Sequence, residues 1–263
     1  MKKYLVIGNP IDHSMSPKLH NYWIKKNNID AMYEKKKIVK EELKDIILKV
    51  REKKINGINV TVPFKNEIIS YLDQLSLEAE KTQSVNTIYL NGDKVVGHNT
   101  DIHGFKLGIK YSKFEAANKF IFILGAGGVV PSIILALTEM KAFKIAISNR
   151  TKEKAERFKN INKNITIADW GEIPNFDMII NATSVGLNKQ DEMNLDFSKT
   201  ASNKFFYDLI YNPKETNFLK MGKQLGNRSE NGKMMFIYQA SEAFKTWHGI
   251  KPEIDDEVIK LLD

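Results

Sequence analysis

The sequence predicts an α/β protein of two domains, on three observations. Its 263 residues exceed what one core usually fills, since single cores stop growing near roughly 250 residues. From Lys119 to about Gly226, apolar strand runs alternate with helical ones, the order that builds a doubly wound parallel sheet. Within it, Lys119 to Arg150 reads as strand (Phe120 to Leu124), glycine turn (Gly125-Ala126-Gly127-Gly128), apolar helix through Leu137, and strand (Phe143 to Ser148). Gly125 suits the tight turn, Gly127 lacks a Cβ and lets backbone approach a pyrophosphate, and the following helix aims its N–H groups at that anion. The third small position falls on Val130, and Pro131 sits in the first turns of the helix, where a missing N–H is tolerated.

Taken in order, Tyr4 to Gly8 is a buried-type strand, followed by a polar loop to Ser16 and a helix opened by Pro17. Ser16 is a good N-cap with proline at the first helical position. Ser14 adds a second hydroxyl at the same positive helix end, and together the two could hold a carboxylate. A strand near Met32 to Ile38 leads to a helix from about Lys40, whose Leu43, Ile46, Ile47 and Val50 fall at helical spacing. In the run Gly57 to Lys65, alternation separates Ile58, Val60 and Val62 from Asn59 and Thr61, and Pro63 stops the ladder. Lys65 therefore emerges just past a strand end, where open α/β sheets place ligands. Val85 to Leu90 and Lys94 to Gly97 form a hairpin about Asn91-Gly92. It exits into Asn99-Thr100-Asp101, with Asp101 at the start of a helix to Tyr111.

After Ser148 the strand ends in Asn149-Arg150-Thr151, where an NAD-type unit would carry an acidic residue for the ribose 2′-OH. An arginine fork instead suits a 2′-phosphate, with Lys152 and Lys154 adding positive charge, so NADP is favoured over NAD. The bland alternative is that Thr151 caps a helix from Lys152 to Lys159 and Arg150 is solvated. Two more strands, Phe176 to Ile180 and Phe205 to Leu209, run into Asn181-Ala182-Thr183-Ser184 and Tyr211-Asn212-Pro213. Helical spacing resumes from Met234 to Trp247, with Gln239 breaking its apolar run, and a last helix lies near Glu253 to Leu262.

Composition excludes several function classes. With 42% hydrophobic and 27% charged residues the chain reads as an ordinary soluble protein, and no run reaches the roughly 18 apolar residues of a membrane span. Met1-Lys2-Lys3 leads straight into a strand with no signal-peptide core, so a cytoplasmic location is expected. The absence of cysteine removes disulfides, thiolate nucleophiles and thiolate metal sites. His13, His20, His98, His103 and His248 lack metal-ligand spacing and read as surface or helix-end positions, so no metal is expected. The formal charge of +8 rests on dispersed lysines and only four arginines, Arg51, Arg150, Arg157 and Arg228; nucleic-acid binding is not expected.

Together these motifs resemble the NADP-dependent shikimate dehydrogenase family. The resemblance rests on Ser14-Met15-Ser16-Pro17, the G-x-N-V-T-x-P-x-K run from Gly57 to Lys65, Val85-Asn86-Thr87, Asn99-Thr100-Asp101, Gly125 to Gly128, Asn149-Arg150-Thr151, Asn181 to Gly186, Asp208 to Pro213, Asn231-Gly232 and Gln239. Their order and spacing, from Ser14 to Gly249, carry it. It implies an N-terminal substrate domain with a mainly parallel sheet (1–102), a Rossmann-like NADP domain (103–236), C-terminal helices returning to the first (237–263), and a cleft between the two. It further implies that Ser14 and Ser16 bind the substrate carboxylate, that Thr61, Asn86, Asp101 and Gln239 bind ring hydroxyls with Tyr211 near them, and that Lys65 and Asp101 form the catalytic pair. Gly125, Ala126, Gly127 and Gly128 would take the pyrophosphate and Asn149, Arg150 and Thr151 the adenosine ribose and 2′-phosphate. Thr183, Gly232 and Met235 would lie toward the nicotinamide. The implied reaction interconverts 3-dehydroshikimate and shikimate, in a monomer or homodimer with no nucleic-acid or membrane partner. Rival readings are a quinate/shikimate dehydrogenase with mixed NAD/NADP use and a non-catalytic ligand sensor. Departures from the family pattern are the run Val129 to Ser132 after the glycines and a polar stretch from Gln224 to Glu230, expected to be a mobile loop.

Overall fold

The computed structural model describes residues 1–188 and 190–263. The chain divides into two compact units, one made of residues 1–104 and 237–263, the other of 105–236.

The first unit begins with β1 (Lys2–Gly8), α1 (Ser16–Lys26), β2 (Ala31–Lys37) and, after a 3₁₀ turn at Lys40–Glu42, α2 (Leu43–Arg51). It continues with β3 (Gly57–Val60), β4 (Gln74–Leu75), α3 (Leu77–Thr82), β5 (Thr87–Asn91), β6 (Lys94–His98) and α4 (Asp101–Tyr111), within which the boundary to the second unit falls. The six strands run in the order β2-β1-β3-β5-β6-β4. The pairings of β1 with β2 and β3, and of β4 with β6, are parallel, while β5 pairs antiparallel with both β3 and β6. Alternation along β1 sends Leu5 and Ile7 into a core with the α2 stripe of Leu43, Ile46, Ile47 and Val50, together with Ile58, Val60, Ile88 and Val95. Pro63 ends the β3 ladder as expected, since Thr61 is the last residue to donate to β1, through its N–H to the Ile7 carbonyl at 2.9 Å.

The second unit holds β7 (Phe120–Leu124), α5 (Val130–Glu139), β8 (Lys144–Ser148), α6 (Lys152–Glu156), β9 (Ile165–Ile167), β10 (Met178–Asn181), β11 (Phe205–Asp208), α7 (Asn217–Gln224) and β12 (Arg228–Asn231). Its sheet is wholly parallel, in the order β12-β11-β10-β7-β8-β9. Strand order therefore reverses between β7 and β10, which is the switch point where doubly wound sheets open a crevice beyond their strand ends. Phe122, Leu124, Phe176, Ile179, Phe206 and Phe218 share a core of their own. After it, α8 (Lys233–His248) carries the chain back to the first unit, which α9 (Asp256–Leu261) completes.

Several expectations are corrected. The polar stretch before Asn231 is not a loop throughout: Arg228 to Asn231 pair in register with Phe205 to Asp208 as an edge strand, where one ladder partner suffices and polar side chains face water. Ser16 is the first residue of α1 rather than its cap; Met15 occupies the cap position without a side-chain bond, and the Ser14 Oγ accepts the Ser16 N–H at 3.3 Å. His20 is not a surface residue. It lies on the buried stripe of α1 with Leu19, Trp23 and Ile24, stacked on Tyr33 at 4.3 Å. No helix among the described residues is long and apolar enough to cross a membrane.

Candidate functional site

In the first unit a buried polar cluster forms where the ends of β3, β5 and β6 meet the start of α4. The chain turns after Thr61, whose carbonyl accepts the Phe64 N–H at 3.0 Å, and Lys65 follows with its own carbonyl taking the Val85 N–H at 2.7 Å. This turn aims the Lys65 ammonium at Asp101, Nζ to Oδ2 being 2.6 Å, with the residues only 8% and 5% exposed. Asp101 is set from its other side: its N–H donates to Asn99 Oδ1 at 3.0 Å, and Asn99 Nδ2 donates to the Ser84 carbonyl at 2.8 Å. Asn86 completes the set, donating from Nδ2 to Asp101 Oδ1 and to Thr100 Oγ1, each at 2.9 Å, and approaching Gln239 Oε1 at 3.4 Å. Its Oδ1 accepts from the Thr100 N–H at 2.8 Å and Thr87 Oγ1 at 3.0 Å, which fixes the amide so that its donor faces the carboxylate.

Lys65, Asn86, Asp101 and Gln239 thus come together from positions far apart in the chain. A buried ammonium–carboxylate pair contributes little net stability, because desolvation offsets most of its attraction. Such a pair can polarise an oxygen and exchange a proton with it. Ser14 and Ser16 lie together at the start of α1, Ser16 buried and Ser14 half-buried. Half-buried Thr61 sits four residues before Lys65, and its methyl packs so closely on Gly8 that a Cβ there would stand 2.5 Å away. Gly57 opens the same motif for a packing reason: a Cβ on it would meet the Trp247 indole nitrogen at 2.3 Å.

In the second unit the glycine turn follows β7. Gly125 has φ +110°, and a Cβ there would lie 2.8 Å from the Ala182 carbonyl, so only glycine fits. Gly127 is exposed and has open space beside it, its nearest neighbour being the Ala182 oxygen at 4.0 Å. At the end of β8, Arg150 is exposed and Asn149 Nδ2 donates to the Thr151 carbonyl at 2.8 Å. Thr151 takes the cap position of α6 but makes no side-chain cap bond, and Lys152 pairs with Asp169 at 2.5 Å. Thr183 Oγ1 donates to Asn181 Oδ1 at 2.7 Å. Tyr211 stacks on Phe236 at 4.3 Å. A Cβ on Gly232 would strike the Leu209 carbonyl at 2.2 Å, and Met235 is buried three residues on.

Comparison with known proteins decides the family. The model of the shikimate dehydrogenase substrate binding domain matches residues 6–88, and that of shikimate / quinate 5-dehydrogenase matches 109–217. The NADP(+) shikimate dehydrogenase of Pelagibacter ubique is 57% identical over 262 residues, covering 100% of this chain and 99% of that protein. The chain belongs to the shikimate dehydrogenase family. A crystal structure of a shikimate dehydrogenase in complex with NADP+ superposes with a TM-score of 0.92 at 34% identity, covering 100% of this chain and 94% of that one. The Thermus thermophilus shikimate 5-dehydrogenase, solved with NADP(H) and shikimate, gives 0.90 at 27% identity, covering 100% and 98%.

Two features of this shikimate dehydrogenase family member escape sequence reasoning. Arg157, in the 3₁₀ turn after α6, donates from Nη2 to the Ala126 carbonyl at 2.9 Å and so braces the glycine turn from the next crossover; no local pattern announces a contact of that kind. Asp208, at the end of β11, is fully buried, and burial pushes its carboxyl up to about 6. Its hydrogen bonds from Thr216, Ile210 and Asn181 pull the other way without cancelling burial. The signal available for Asp208 was its place at the head of the Asp208 to Pro213 motif.

Proposed function

We propose that the protein interconverts 3-dehydroshikimate and shikimate with NADP(H). The observation that carries this reading is the buried Lys65–Asp101 pair, at 2.6 Å and oriented by Asn86, in a chain of this family. Residues 1–102 with 237–263 hold the substrate, and 103–236 hold the cofactor. The glycine turn fits a pyrophosphate: Gly127 is exposed and unobstructed where the turn enters the 10-residue α5, whose positive dipole end favours an anion. Arg150, exposed at the end of β8, meets a 2′-phosphate as a fork. NADP(H), when bound, supplies or accepts the hydride.

The chain's own groups handle the proton and the charge. Ser14 and Ser16 hold the substrate carboxylate, Thr61, Asn86 and Gln239 hold its hydroxyls, and Tyr211 is a further substrate contact by the family's pattern. As a ketone is reduced, negative charge builds on its oxygen, and the Lys65 ammonium stabilises that charge and stands ready to donate a proton. In the oxidative direction the same nitrogen receives the hydroxyl proton. Asp101 orients Lys65 and a substrate hydroxyl. The protein works in the cytoplasm as a monomer or homodimer.

Following reduced-nicotinamide absorbance with shikimate or quinate, and with NADP or NAD, tests the reading. Turnover is expected with shikimate and NADP, and its absence rejects the proposal. Lys65→Ala should lower kcat by roughly 10²- to 10⁴-fold, the range for loss of a positioned acid–base group, with a much smaller change in the KM for shikimate. Unchanged turnover would remove Lys65 from the mechanism.

A further inference from the structure

The buried Asp208 carboxylate has no part in the chemistry above, yet it stands where two functional loops begin. Asn181 and Asp208 are register neighbours at the ends of β10 and β11, and Asn181 also pairs with Leu124, the residue before the glycine turn. Asp208 Oδ1 accepts from Asn181 Nδ2 and from the Ile210 N–H, each at 3.0 Å, and Oδ2 accepts from Thr216 Oγ1 at 2.6 Å. Asn181 uses its second Nδ2 hydrogen on the Val185 carbonyl at 3.0 Å, while its Oδ1 accepts from the Thr183 N–H at 3.1 Å and Oγ1 at 2.7 Å. Thr216, in turn, caps α7 by accepting the Leu219 N–H at 3.3 Å. One carboxylate therefore ties the loop bearing Thr183 to the loop bearing Tyr211 and to the helix beyond it.

We infer that Asp208 is a positioning residue, which sets Thr183 through Asn181 and the Tyr211 loop through Ile210 and Thr216. This rests on the proposed function and on the places that the family pattern implies for Thr183, toward the nicotinamide, and for Tyr211, as a substrate contact. A buried ion with three neutral donors and no cationic partner among its hydrogen bonds is a costly means of stabilising a fold. A neutral acceptor of the same shape would serve the fold as well. What the carboxylate offers is two oxygens that accept from both loops at once, and each of its donors is fixed by a second bond elsewhere or by the main chain.

The test compares Asp208→Ala, Asp208→Asn and Asn181→Ala with the wild type. Asparagine keeps an oxygen for Asn181 and Ile210 and reverses only the bond to Thr216; alanine leaves three buried donors without an acceptor. Titration of NADPH fluorescence without substrate reads cofactor placement directly, and steady-state rates read both loops. Asp208→Ala should weaken NADPH by about tenfold or more and lower kcat by roughly 10- to 100-fold, the penalty of misplacing reacting groups. The ratio of NADP to NAD preference should be unchanged, because Arg150 is untouched. Asp208→Asn, which keeps the oxygen shared by Asn181 and Ile210 but not the acceptor for Thr216, should bring NADPH affinity back to within about threefold while kcat recovers only in part, and Asn181→Ala should weaken NADPH without disturbing the bonds of Asp208 to Ile210 and Thr216. Asn181→Ala also keeps the test decisive should Asp208→Ala not fold. A lowered melting temperature with unchanged binding and kcat would reduce Asp208 to a structural group, and an asparagine variant as impaired as the alanine one would reject positioning through the acceptor geometry. The fluorescence arm does not involve shikimate, so a wild type that binds NADPH but fails to oxidise shikimate would reject the functional proposal alone.

Discussion

At the scale of single residues, His20 shows how a titratable ring serves as core. It is 1% exposed, lies flat on Tyr33 at 4.3 Å and meets Trp23 edge-on at 5.8 Å, and neither ring nitrogen finds a hydrogen-bond partner among the described residues. Burial, helped by the nearby His248, pushes its pKa down to about 3. Below the unfolded value of about 6.5, the unfolded chain takes up a proton that the folded one refuses. Stability is therefore present above that pH and is lost as pH falls toward 3, by roughly 1.4 kcal/mol per pH unit for one refused proton. His248, pushed down to about 4 by burial and by Lys2, adds to the same trend. Asp208 has the opposite sign: its raised carboxyl favours the folded state at low pH and loses that contribution as pH rises through about 6. Urea unfolding of His20→Phe, which keeps the stacked ring, should show about 2 kcal/mol less loss than the wild type between pH 6.5 and 5. Equal slopes in the two proteins would mean that His20 is not held neutral.

At the scale of elements, the strand–turn–helix of β7 and α5, the proposed pyrophosphate site, is supported by its neighbours. Gly125 is fixed against Ala182 of the β10 loop, and Arg157 holds the Ala126 carbonyl, while Arg150 is exposed at the next strand end. These two arginines should separate by cofactor. Arg150→Ala removes charge-assisted bonds worth about 1.5–3 kcal/mol, so the KM for NADP should rise roughly 10- to 100-fold while that for NAD moves little. Arg157→Ala should weaken both cofactors alike, because it loosens the turn and not the phosphate contact. Equal losses for NADP and NAD in Arg150→Ala would refute the 2′-phosphate role. Most of these elements were legible because strong periodicity marks them: the apolar run Phe120 to Leu124, the stripe of α2, and the stop at Pro63. The strand Arg228 to Asn231 was not, since an edge strand with one partner needs no apolar alternation. The two-residue β4 and three-residue β9 are too short to show any. The Lys65–Asp101 pairing was legible only through resemblance, for hydrogen bonds 36 residues apart in the chain leave no spacing signal, and the Arg157 brace left none at all.

At the scale of the whole molecule, the two units differ in how the chain builds them. Residues 105–236 form one continuous unit with its own aromatic core, whereas the first unit is assembled from residues 1–104 and 237–263. The returning segment contributes Ile237, Ala240, Ala243, Phe244 and Val258 to the core. Phe244 packs against Trp23 and His20. Trp247 fills the space above Gly57, donates to the Ile88 carbonyl at 3.0 Å and packs tilted against Tyr4 at 5.1 Å. Farther along, the Glu253 carbonyl accepts from the Trp23 indole, and Lys26 pairs with Asp255 at 2.5 Å. Burial of a large apolar side chain stabilises by about 1.5–3 kcal/mol, so this segment supplies on the order of the 5–15 kcal/mol by which a domain is stable. A fragment of residues 1–104 should therefore lack cooperative unfolding and dispersed amide resonances when alone. Adding a peptide of residues 233–263 should restore both, with a shift in tryptophan emission as Trp23 and Trp247 become enclosed. The fragment 105–236 should melt cooperatively unaided. If residues 1–104 unfold cooperatively alone, the returning helices are an ornament on a finished domain; if the peptide rescues them, the substrate-binding half of this protein is complete only after the chain has made the other half.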